Sequence, residues 1–100
     1  MRFTRYPDYT YVGYQEQFTT KYEKLVEVFG EPDFINEAAV DYSVFPCISC
    51  EWSMKFADGT IATIYCYGAR NPTEETNWFI GGYDKHAVKR VKELLKWWLN

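Results

Sequence analysis

The sequence predicts an α+β domain, an antiparallel sheet of about four strands with two helices packed on one face. Three observations carry this. Ile48, Cys50, Trp52, Met54 and Phe56 alternate strictly with Ser49, Glu51, Ser53 and Lys55, the period of a strand with one buried face. Ala57-Asp58-Gly59 follows as a strong hairpin turn. Two segments, one ending near Phe29 and one beginning near Asp84, carry apolar residues at helical spacing. One hundred residues are one domain's worth, divided here into a Tyr-rich arm over 1–17 and an α+β core over 18–100.

The arm holds Phe3, Tyr6, Tyr9, Tyr11 and Tyr14. Arg2 to Tyr6 reads as a short edge strand stopped by Pro7-Asp8, whereas the spacing from Tyr9 to Tyr14 fits neither a helix nor a strand. Two readings stand for these rings. Either they pack across the core, or Tyr9, Tyr11 and Tyr14 form an interface.

The first helix is expected over about residues 20–29. Thr20 is its N-cap, and Glu23 completes a capping box. Phe18, Tyr22, Leu25, Val26 and Phe29 form its apolar stripe, Gly30 caps its end, and Pro32 prevents continuation. Phe34 to Ala39 is ambiguous, and Val40 to Val44 alternates like a half-buried strand.

The hairpin at Asp58-Gly59 allows two registers. A two-residue loop would pair Phe56 with Ile61 and turn Ala62, Ile64 and Cys66 onto the polar face. A three-residue loop with Gly59 in a left-handed bulge pairs Phe56 with Thr60 and joins those residues to Cys50, Trp52 and Met54. A one-residue slip reverses every side chain, so the hydrophobic pattern selects the bulge. The other face then carries Ile61, Thr63, Tyr65 and Tyr67 beside Ser49, Glu51, Ser53 and Lys55. Gly68 to Thr76 reads as a polar loop and Asn77 to Ile80 as a short strand, with Gly81-Gly82 as a tight exit. Asp84 caps the last helix, whose buried stripe is Ala87, Val88, Val91, Leu94, Leu95 and Trp98. Trp97 falls off that stripe, which suits an interface.

Aromatic residues make up 20% of the chain, more rings than a small core accommodates, so some belong to a surface or pocket. The net charge of -3 argues against duplex nucleic-acid binding, which requires a basic face. No apolar leader and no membrane-spanning run occurs, and three cysteines without a secretion signal read as reduced thiols, so a cytoplasmic setting is expected. Cys47, Cys50, Cys66 and His86 could be assembled into a zinc set, but paired-knuckle spacing is missing and buried thiols suffice as an explanation. No nucleophile elbow is present, His86 is the only histidine, and Glu51, Glu74 and Glu75 read as solvated surface, so the chain is not expected to be an enzyme or to need a cofactor. The most suggestive feature is Gly81-Gly82 ahead of a helix N-terminus, where backbone amides can hold an anion, although Asp84 opposes one there. Lys85, Lys89 and Arg70 would add positive charge, and Tyr65 and Tyr67 would stack on a base.

The pattern Glu51-Trp52 … Phe56 … Asp58-Gly59-Thr60 … Ala62 to Tyr65, then Trp78 … Ile80-Gly81-Gly82 and a Lys-rich helix, resembles one found in short hypothetical proteins of tailed phages. The helix from Tyr22 to Gly30 with Glu31-Pro32 belongs to the same pattern, and the likeness covers about residues 18 to 96. The resemblance implies a phage accessory origin and a host-cytoplasmic setting, in which such small proteins often inhibit bacterial defence by binding. The expected function is therefore non-enzymatic antagonism of antiviral defence, with sequestration of a nucleotide immune signal slightly preferred. Inhibition of a host defence protein is the alternative and a small nucleotide hydrolase the third. A homo-oligomer would build such pockets between copies and bury Trp97.

Overall fold

The computed structural model describes residues 3–5, 13–35, 48–67 and 75–99. In chain order these form β1 (Phe3–Arg5), β2 (Gly13–Lys21), α1 (Tyr22–Phe29), β3 (Phe34–Ile35), β4 (Ile48–Phe56), β5 (Ile61–Tyr67), β6 (Glu75–Gly82) and α2 (His86–Leu99). The α+β class and the antiparallel sheet are as the sequence predicts. The sheet has six strands rather than about four. Five run in the order β1-β4-β5-β6-β2, and the short β3 also pairs with β4.

The central hairpin takes the register that the hydrophobic pattern selects. Cys50 faces Cys66, Trp52 faces Ile64 and Met54 faces Ala62. The Phe56 N–H donates to the Thr60 carbonyl at 2.8 Å, and the Gly59 N–H donates to the Phe56 carbonyl at 2.9 Å. Gly59 has φ 90, the left-handed conformation that this bulged loop requires. These side chains meet Leu25 and Phe29 of α1 and Ala87, Val88, Val91 and Leu95 of α2 in one core that also takes in Trp78 and Ile80. Both helices therefore lie on one face of the sheet.

Two elements differ from the sequence reading. Gly13–Lys21 is a nine-residue strand paired with β6, where an arm and the start of a helix are expected. Its ladder shifts between Tyr14 and Glu16, so one extra residue breaks the alternation that would reveal a strand. The expected cap at Thr20 is likewise displaced. Thr20 pairs with Thr76, its carbonyl accepts the Trp78 indole N–H at 3.0 Å, and α1 begins at Tyr22 after Lys21 with no side-chain cap. Pairing with β6 outweighs the local capping preference. The C-terminal cap is as expected, since the Gly30 N–H donates to the Val26 carbonyl at 2.8 Å.

Gly81 and Gly82 do not form the exit turn. Both are inside β6, opposite Thr63 and Ala62 on one side and Tyr14 and Gly13 on the other. The expected strand over Val40 to Val44 lies outside the described residues. No helix among the described residues is long and apolar enough to cross a membrane.

The bulge at Gly59 gives a direct test. A Cβ there meets nothing within 4 Å, so any loss in Gly59→Ala comes from backbone strain alone. The variant is expected to lose about 1–2 kcal/mol in denaturant unfolding. An unchanged midpoint would show that the loop relaxes into another turn without cost.

Candidate functional site

On the face of the sheet away from the helices, two rows of side chains each cross four strands. Ser53, Thr63, Gly81 and Tyr14 align in one row, and Glu51, Tyr65, Phe79 and Gln17 in the next. Three rings of these rows touch. Tyr65 stacks on Phe79 with centroids 5.6 Å apart and planes 24° from parallel, and Tyr14 meets Phe79 edge-on at 6.1 Å. Tyr65 and Phe79 are partly buried, whereas Tyr14 is 59% exposed.

The small row seats this cluster. A Cβ on Gly81 would lie 2.5 Å from the Thr63 hydroxyl and 3.3 Å from the Tyr65 ring. The missing side chain is thus filled by its neighbours, and Tyr65 leans across the notch toward Phe79. Ser53 and Thr63 are both buried although they belong to the face opposite the helices. Asp33 pins the other end of the row, where its carboxylate accepts the Ser53 N–H at 2.8 Å.

Gly82 faces the helices. A Cβ there would run into Ala87 of α2 and press on the Ile61 carbonyl. Its role is to let α2 approach the sheet. Beyond it, Asp84 caps α2 as the sequence predicts, accepting the His86 N–H at 2.9 Å, with His86 Nδ1 at 3.2 Å from the same oxygen. Lys85 reaches back and donates to the Gln15 carbonyl in the bulge of β2. Lys89 is exposed and, with Asp84, Lys85 and His86, borders an open cleft of about 430 Å³. A second cleft of about 230 Å³ lies between the hairpin turn and Tyr83, Asp84 and His86. Carboxylates border both, which disfavours a phosphate.

The structure therefore divides the residues that the sequence groups as one ligand site. Tyr65 and Gly81 are adjacent on the face away from the helices. Gly82, Lys85 and Lys89 belong to the junction with α2, and Lys85 is engaged by a backbone carbonyl. Tyr67 and Trp97 lie in β5 and α2, but their side chains, like all of Tyr9, Tyr11 and Arg70, are outside the described residues. Tyr14, expected at an interface, is exposed beside the ring cluster. Phe79 is the member that sequence reasoning missed. Trp78 and Ile80 point into the core, and that alternation places Phe79 on the opposite face.

One ion pair ties the hairpin turn to α2. Arg90 holds the Asp58 carboxylate through Nε at 2.9 Å and Nη2 at 2.8 Å, and it also contacts Glu93 at 3.0 Å. Thr60, through its side chain and its backbone N–H, and then Arg90 hold the Asp58 carboxyl well below the usual range. Asp58 in turn raises the pKa of Arg90. Among the described residues no group of three His, Cys, Asp or Glu side chains is arranged to hold a metal ion.

Two outcomes test this geometry. Gly82→Ala is expected to lower stability by about 1–3 kcal/mol, the usual cost of overpacking, and a neutral result would mean that α2 shifts freely. Folding lowers the Asp58 pKa, so its contribution is fully present above the unfolded value of about 3.9 and is lost as the pH falls through the lower folded value. Wild type should therefore lose more stability than Asp58→Asn as the pH drops below about 4, read as denaturant midpoints at each pH. Parallel losses in the two proteins would remove Asp58 from the account.

No protein-family model, no curated protein and no solved structure matches this chain.

Proposed function

We propose that the protein acts by binding rather than by catalysis, and that it engages a protein partner through the face of its sheet away from the helices, around Tyr14, Phe79 and Tyr65. In the phage setting that the resemblance implies, the partner is a component of bacterial antiviral defence. The observation that carries this reading is the contact of three rings from three neighbouring strands, with Tyr14 exposed at the rim. Strands lie about 4.8 Å apart, so the cluster spans about 10 Å of surface. Tyrosines held by neighbouring rings are the kind of anchor that dominates protein interfaces, because they cover much apolar area at little entropic cost.

The geometry favours this over nucleotide capture. The charged residue in the row of Tyr65 and Phe79 is Glu51, a carboxylate, and Lys85 is engaged by the Gln15 carbonyl. Nucleotide capture is the second reading, supported by the stacked Tyr65–Phe79 pair, whose π-surface suits a base.

One variant separates the two. Tyr14→Ala removes a largely exposed ring at the rim and should lower stability by no more than about 1 kcal/mol, the loss of its edge contact with Phe79. Affinity for a host protein captured by wild type should fall by about 2 kcal/mol, roughly 30-fold. Equal capture by both proteins would refute the docking face. A panel of cyclic nucleotides and ADP-ribose derivatives, mixed with the protein and recovered after denaturation, tests the second reading. Depletion with intact recovery would favour capture, and altered products would show an enzyme.

A further inference from the structure

We propose that Cys50 and Cys66 are a redox pair, converted by a hydroperoxide into a cross-strand disulfide that locks the central hairpin. This does not depend on the partner-binding reading. The two residues are direct register partners on β4 and β5, and both point to the helix side of the sheet, where they are fully buried.

The turn sets the phase of the ladder. The bond from the Phe56 N–H to the Thr60 carbonyl makes 56 and 60 a hydrogen-bonded pair, and counting along the strands gives the same class to Cys50 and Cys66. Such pairs have Cα atoms about 5.5 Å apart, at the commonest separation for disulfides. Their Cβ atoms, about 5.5 Å apart in such pairs, must still approach by about 1–2 Å. The irregular pairing between Ile48 and Cys50 places slack in the backbone beside the residue that has to move.

The chemistry balances with one oxidant. One thiol loses its proton and attacks a peroxide oxygen. The O–O bond breaks to give a sulfenic acid, and the released oxygen leaves as water when the oxidant is hydrogen peroxide. The second thiol then displaces the sulfenic oxygen, forming the S–S bond and a second water. Two thiols are oxidised by two electrons, and one peroxide is reduced. Both thiols are fully buried, so a water-sized oxidant reaches them through local opening of the core that bulky disulfide reagents would not pass. The facing thiol captures the sulfenic acid before it oxidises further.

The test uses folded protein carrying Cys47→Ser, which leaves only this pair, treated with hydrogen peroxide. The expected product has a mass lower by two hydrogen atoms, linked peptides containing Cys50 and Cys66, and a higher denaturant midpoint that dithiothreitol reverses. Wild type treated in the same way should give the same linkage by peptide mapping, so the result does not rest on the variant alone. Thiols that stay unmodified in the folded state, unlinked sulfinic or sulfonic acids, or linkage mainly to Cys47 would each overturn the proposal.

Discussion

The fold depends on how two tryptophans hold one short helix. Helix α1 has only eight residues and no side-chain N-cap, too little to be stable alone. Trp78 donates its indole N–H to the Thr20 carbonyl ahead of the helix, and Trp52 donates to the Gly30 carbonyl just beyond it, at 3.0 and 2.8 Å. The two indoles meet each other at 5.5 Å, with Tyr22 against both. The rings thus fill the core while their N–H groups, which burial would leave unsatisfied, fix both ends of α1 to the sheet. Position on β4 and β6 then decides where the helix lies, and Leu25 and Phe29 are buried as a result.

The same arrangement separates the two faces of the sheet. Among the described side chains of β4, β5 and β6, Cys50, Trp52, Met54, Phe56, Ala62, Ile64, Cys66, Trp78 and Ile80 are committed to the helix side, so the residues between them cannot join that core. Tyr65 and Phe79 are on the second face for this reason and find each other there. The Asp58–Arg90 pair joins the far end of the hairpin to α2, so the strand that carries Tyr65 is held at its turn as well as by its neighbours.

How much was legible follows from the range of each interaction. The hairpin register could be read because its turn, its alternation and its glycine lie within a few residues of one another. Strand β2 could not, because its partner is about 60 residues further along the chain and its bulge disturbs the period at the tyrosines. Thr20 and Glu23 form a sound local capping signal that a distant indole and strand pairing override. Gly81-Gly82 has the composition of a turn, yet each glycine answers a spatial neighbour, Thr63 and Tyr65 for one and Ala87 for the other. Tyr14 and Tyr65 were legible as candidates from their chemistry. Their contact through Phe79 required the strand order.

The bulge in β2 also bears on edge-to-edge strand pairing. A long strand at the rim of a sheet is a template for pairing with another chain, and a nearby exposed tyrosine would reward such pairing. Here the template is interrupted at Tyr14 to Glu16. The Gln15 side chain turns in to the Gly82 carbonyl at 3.0 Å, Lys85 takes the Gln15 carbonyl, and Lys92 pairs with Glu16. An approaching strand would meet a kinked, lysine-flanked margin instead of a continuous ladder. The register shift thus leaves the exposed Tyr14 ring beside an interrupted template rather than a continuous one.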